Sequence, residues 1–212
     1  MKKVFKWIFI ALGIVFIGII GLAMFSSEEE TAATTEETTS IKKEEATEVS
    51  QPDQTSKYAE YMKLITPSIT DKNLELSSTS YEFIKKNHKL FPAFKTAEIN
   101  QAKQMEDASI GVKLLNKNVE PYLEKMLSFE GSVISIEETS VPDSDDTMSV
   151  VHVMDDEMNS YQVVLFKSSG DILEEDQVQF WGAPIGGSSF ENVSGGTTNV
   201  QVFMGSHIEK KM

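Results

Sequence analysis

The sequence predicts an α+β protein in four consecutive parts: an apolar N-terminal helix, a disordered acidic linker, a short helical region, and a small five-stranded β-barrel. Three observations lead there. Residues 7–25 carry no charge, residues 26–56 carry almost no large apolar side chain, and from residue 129 helical spacing gives way to short β-type runs. Charge divides the chain at the same places. Residues 1–25 hold three lysines and no acid, and 26–56 hold nine acids and two lysines. Residues 57–128 hold nine acids and eleven lysines, and 129–212 hold fifteen acids and three lysines.

Residues 7–25 (WIFIALGIVFIGIIGLAMF) form a helix of ~28 Å, close to the ~30 Å hydrocarbon core of a bilayer. The stretch exceeds the apolar region of a secretory leader, about 7–15 residues, and Phe25 is too bulky for a cleavage site; a cleaved leader is the alternative reading. Lys2, Lys3 and Lys6 precede the span, and Glu28, Glu29 and Glu30 follow it. The positive-inside rule then puts the N-terminus in the cytoplasm and residues 26–212 outside, making a single-pass signal anchor in the cell membrane. Residues 26–56 are mostly Glu, Thr, Ser and Ala, with Ile41 and Val49 the large apolar exceptions. Such a stretch cannot offset its ordering entropy and reads as a stalk with an r.m.s. reach of ~30 Å.

The helical region spans residues 57–128. Tyr58, Tyr61, Met62 and Ile65 share one helical face, with Pro67 as the stop. Thr79 followed three residues later by Glu82 matches a capping box, and that helix is expected to run to Phe91-Pro92. Further helical stretches are expected at 97–107 and 121–127. Residues 129–212 then form the barrel, with strands expected at 129–138, 147–155, 160–166, 177–182 and 198–208. The near-continuous apolar run of the second strand suggests burial on much of both faces. Five short strands with a longer third connection suit a Greek-key barrel of the OB type; a small open β-sandwich is the alternative.

The run from Phe83 onward resembles a family of bacterial extracytoplasmic proteins with an OB domain like the anticodon-binding domain of tRNA synthetases. The resemblance rests on Phe91-Pro92 after a helix, Lys117-Asn118, Tyr122, and Gly131-Ser132-Val133-Ile134. It continues through Glu175-Asp176-Gln177-Val178, Gly182-Ala183-Pro184-Ile185-Gly186, Asn192, and Gly195-Gly196-Thr197-Thr198-Asn199. The C-terminal part is also similar to the OB domain of the membrane-bound clostridial toxin-gene regulators. The resemblance covers about 130 residues, mostly turn glycines and strands. It implies a membrane-anchored Gram-positive surface protein with an OB module, and it implies no catalytic residue.

The absence of cysteine excludes disulfides and Cys-ligated metals, and the absence of arginine removes the bidentate grip on phosphate or guanine. The OB ligand face is normally flanked by the loops joining strands one–two and four–five. Here the first contains Glu137, Glu138, Asp143, Asp145 and Asp146, and the second Glu191 without a lysine. Phosphates would be repelled, so nucleic acid is not expected as a partner. Asp143, Asp145 and Asp146 approach a calcium site in chemistry but lack the glycine of an EF-hand loop, so neither metal nor cofactor is expected. No GxSxG elbow or phosphate loop occurs, and His88, His152 and His207 show no ligand spacing.

The expected function is therefore a non-enzymatic, membrane-anchored binding protein presenting its barrel to another protein or an envelope polymer. Tyr161, Ser188, Phe190 and Asn192 are the candidate ligand contacts. A membrane-bound regulatory or sensing component, anti-sigma-like, is the alternative, and a hydrolase is a further one.

Overall fold

Apolar residues alternating along the last third of the chain pair their strands into a closed barrel. A computed structural model describes residues 57–70, 74–141, 144–191 and 195–211. The expected membrane helix and acidic linker lie outside these residues. Among the described residues, no helix is long and apolar enough to cross a membrane. The helical region and the barrel fall in one compact unit.

The strands are β1 (Leu127–Ser140), β2 (Thr147–Met154), β3 (Ser160–Leu165), β4 (Gln177–Glu191) and β5 (Thr197–Lys210). They close in the order β1-β2-β3-β5-β4, with β4 returning to β1. All pairs are antiparallel except β3 with β5. A five-stranded closed sheet with flanking helices is consistent with an OB-like α+β fold. One end of β1 pairs with β4 and the other with β2, and a register shift between Val133 and Ser135 marks the bend. Gly131 sits beside this bend, where an added Cβ would lie 2.3 Å from the Met154 carbonyl oxygen.

Inside the barrel, Phe129 stacks on Tyr161 at 4.7 Å, and Phe180 and Phe203 meet edge to face at 5.2 Å. Ile110 and Leu115 join this core from outside the sheet, so the short helix α4 (Val112–Lys117) closes one part of the barrel. A second buried layer lies on the outer side. Val164, Phe166, Val202 and Met204 are at most 1% exposed, yet none belongs to the interior cluster. Helices α1 (Lys57–Ile65), α2 (Ser78–Lys86) and α3 (Thr96–Gln104) supply the cover. Tyr58 stacks on Phe166 at 5.2 Å, Ala93 N–H donates to Ser206 O at 3.0 Å, and Met62 and Ile84 are buried.

Several expectations shift. The cap of α2 is Ser77, whose Oγ accepts from Ser80 N–H at 3.0 Å, not Thr79. That helix ends at Lys86, and a 3-10 turn (His88–Leu90) carries the chain to Phe91. Helix α4 falls where no helix was expected. The stretch expected as helix 121–127 is instead a 3-10 turn (Glu120–Tyr122), after which β1 begins at Leu127. Strand β2 is buried chiefly on one face, whereas β3 and β5 are buried on both. The largest difference is β4, which continues through the glycine-rich stretch to Glu191 instead of ending at 182.

Replacing Gly131 by Ala tests the bend. Its Cβ would meet backbone, and the Met154 carbonyl cannot retreat without disturbing the Ser132–Met154 pairing. A loss of about 1–3 kcal/mol in urea unfolding is expected. An unchanged midpoint would show that β1 does not need this close approach.

Candidate functional site

The outward side of β1–β2–β3 is built from alternate residues of each strand. Cross-strand register places Ser135, His152 and Gln162 in one row, and Glu137, Val150 and Val164 in the next. Phe190, near the end of β4, meets the His152 ring edge-on, with centroids 5.2 Å apart at 85°. The segment after α1 borders the same row, where Gln162 Nε2 points to Ile69 O at 3.4 Å and the Thr70 and Ser188 hydroxyls bond each other. His152, Gln162 and Phe190 are half-buried.

Two polar atoms in this row are left over. His152 Nε2 and Gln162 Oε1 are buried and have no partner among the described residues. Each such atom costs about 1–3 kcal/mol of lost hydration. Burial holds the His152 imidazole below its ordinary pKa, so it is neutral near pH 7. Burial also raises the Glu137 carboxyl in the next row. The face therefore offers a neutral imidazole, an amide oxygen, a desolvated carboxyl and an aromatic edge. It can recognise a ligand by hydrogen bonds and apolar contact.

Of the residues singled out in the sequence, Phe190 lies on this face. Ser188 is 3% exposed and pairs with Val200 inside the β4–β5 ladder. Tyr161 is fully buried, and its hydroxyl donates to Asp155 Oδ2 at 2.8 Å, so it closes the β2–β3 hairpin from within the core. Asn192 and Asp143 lie outside the described residues. Asp145 is exposed, and the Asp146 carboxylate is engaged by Lys57 and Ser144. Among the described residues no group of three acidic or histidine side chains could hold a metal. His152 and Gln162 were not singled out from the sequence. Their signal was present, since each faces outward in an alternating strand and the pair shares one register position.

Fold and face together define a small barrel with one partly uncovered polar face. No family model matches the chain, and no curated protein matches it. Among solved structures it is similar to a small single-stranded DNA-binding protein from Streptomyces coelicolor, with 15% identity and a TM-score of 0.29. The match covers 41% of this chain and 94% of that one. The expectation that nucleic acid is no partner is corrected by this finding. Its physical basis was also incomplete, because the helices bring lysines to the barrel acids. Lys57 pairs with Asp146, and Lys103 pairs with Glu209 at 2.7 Å. The likeness assigns no ligand to this chain.

A separate polar network lies where the helices meet β5. Lys167 Nζ donates to Ala93 O at 2.6 Å and faces His207 Nδ1 at 3.5 Å. His207 Nε2 faces Glu209 Oε2 at 3.1 Å. Burial, then the Lys167 charge, lower the His207 pKa, so neutral His207 donates from Nε2 to Glu209 and presents Nδ1 to Lys167. Burial likewise lowers Lys167 to about 8. Between that value and its unfolded pKa of about 10.5, the unfolded chain binds the extra proton, so stability rises with pH across this window. Below about pH 8 both states hold the proton and the slope vanishes. Comparing Lys167→Met with the parent chain by urea unfolding from pH 7 to 10.5 isolates the effect. The parent should gain on the variant above pH 8, and parallel curves would refute the buried, neutralising lysine.

Proposed function

We propose that the chain is a membrane-anchored extracytoplasmic binding protein without catalytic activity, whose OB-like barrel recognises another protein or an envelope polymer through the outer face of β1–β2–β3. The observation that carries this reading is the pair of buried, unpartnered atoms, His152 Nε2 and Gln162 Oε1, set beside Phe190. A ligand that donates to the amide oxygen and pairs with the imidazole would supply the hydrogen bonds that these atoms lack among the described residues. The anchor and stalk are supported by the uncharged run at 7–25 and the acidic stretch at 26–56. They would hold the barrel outside the membrane, as the family resemblance implies.

Photo-crosslinking on intact cells, with the full chain tagged at its C-terminus, tests the face. Phe190→Ala should reduce capture about thirtyfold, the scale of an interface anchor of ~2 kcal/mol. Gln162→Leu should weaken capture with little change in the unfolding temperature, because removing the unpaired acceptor offsets the loss of the long bond to Ile69 O. Equal capture by all three chains would remove the face from the function. A dT20 oligonucleotide in the same assay, competing for the captured species, would identify single-stranded DNA as the ligand instead.

Topology is tested separately with protoplasts treated with protease. The C-terminal tag should be lost from intact protoplasts. A tag that survives until lysis would reverse the orientation.

A further inference from the structure

A second surface is independent of that face. A cleft of about 630 Å³ lies between the start of α4, the β2–β3 hairpin, and the first residues of β1 and β4. That volume falls within the range of ligand sites, about 300–1,000 Å³. His152, Gln162 and Phe190 do not line it.

The lining carries Glu130, Asp155, Asp156 and Glu157 against Lys113 and Lys211, four carboxylates to two ammonium groups. Both lysines are engaged, Lys113 with Glu157 at 3.4 Å and Lys211 with Glu130. Asp155 is satisfied within the hairpin by Tyr161 Oη and Asn159 N–H, each at 2.8 Å, and by Glu157 N–H at 3.0 Å. Among the described residues no hydrogen bond or ion pair engages Asp156. The glutamines add further acceptors. Gln177 and Gln179, both in the lining, give their Nε2 groups to Ser132 and Ser128, and each keeps an Oε1 that can only accept. The cleft thus accepts more hydrogen bonds than it donates, and its excess charge is negative.

An apolar element stands at its edge. Met158, at the hairpin tip between lining residues Glu157 and Asn159, is 80% exposed and held at φ 62°. A bulky side chain in the left-handed region costs energy and persists where its surroundings impose it. Here the Asp155 network does so, and Met158 N–H donates to Asp155 O at 3.0 Å. Leu114, next to Lys113 on α4, is 41% exposed.

We infer that this cleft binds a basic peptide segment of a partner protein, with a lysine ammonium received between Asp156, Glu130 and the glutamine oxygens, and an apolar neighbour of that lysine packed on Met158. A cationic ligand matches the acceptor excess, and the apolar contact accounts for the exposed methionine. Residues 57–212 hold 24 acids against 14 lysines, a field that steers cations toward the molecule.

The test uses the full chain in detergent and a fluorescein-labelled decapeptide of alternating lysine and serine with a central leucine. Its lysine-acetylated form is the control. The lysine peptide should bind at least about tenfold tighter than the acetylated one. Asp156→Asn combined with Glu130→Gln should weaken binding about tenfold. Met158→Gly should weaken it about fivefold while keeping or raising the unfolding temperature, because glycine accepts φ 62° without strain. Phe190→Ala should leave peptide binding unchanged. Binding that ignores the cleft variants, as attraction to the acidic 26–56 stretch would give, overturns the proposal. So does equal affinity for the acetylated peptide, or tighter binding of a neutral chitin oligosaccharide or dT20 sensitive to the same substitutions.

Discussion

A barrel whose wall is apolar on both sides must be covered, and most of this structure follows from that requirement. The parallel β3–β5 pair places Tyr161, Val163 and Phe203 inward and Val164, Val202 and Met204 outward, all nearly inaccessible to water. Exposing three such outward side chains would cost several kcal/mol, at about 1.5–3 kcal/mol each. The helices before the barrel are therefore part of its core and not an appended subdomain. They bring their lysines with them, which is why the assembled surface differs from a charge count by segment. Lys103 reaches Glu209 and lies over the Trp181 ring at 4.5 Å, while Trp181 Nε1 donates to Glu106 Oε2 at 2.8 Å. One lysine on α3 thereby joins helix, β4 and β5.

The cover stops short of the β1–β2 side. Strand β2 keeps its outward residues Val150, His152 and Met154 half-exposed, and Ile134 on β1 is 44% exposed. The side chains left accessible on this side are those that the helices do not bury. Segment 57–70 marks the border. Its first residue is tied to the β1–β2 loop through Lys57 and Asp146, and its last, Thr70, to Ser188. Burial, then the nearby Asp146 carboxylate, push the Tyr58 phenol up to about 12.

Much of this was legible in the sequence wherever periodicity was strong. The starts of β2, β3 and β4 and the first helix fall at the expected residues, because apolar spacing and breakers such as Pro67 act locally. The misses came where local signals compete or where distance decides. Two serines and a threonine at 77–79 all cap in principle, and Ser77 wins because the helix begins one residue later. Helix α4 is six residues long and stands by burying Leu115 against the core, which no short window reveals. Phe190 was visible as a candidate, but its partner His152 lies on another strand. Their meeting depends on how far β4 runs. Tyr161 belongs to the core for a related reason: its hydroxyl has an internal acceptor in Asp155, set by the hairpin that the tyrosine itself follows.

The glycine-rich stretch of β4 shows how strand packing outweighs a local turn signal. The expected strand ends at Gly182, and the paired Gly186 and Gly187 suggest a turn when only conformational freedom is considered. In the barrel they answer a different need. An added Cβ on Gly182 would lie 2.7 Å from the Met204 carbonyl oxygen, so the strands approach too closely there for any side chain. Register shifts beside Gly182 and Gly186 let β4 bend while it follows β5 from Val178 to Glu191 and, on its other edge, pairs with β1 over Gln177–Gly182. Because the strand bends and continues, Phe190 arrives above His152 as a member of a hydrogen-bonded ladder, opposite Thr198. A side chain on a strand is held more rigidly than one on a loop. The aromatic edge beside His152 is thus held in place by the same glycines that, read alone, argue for flexibility.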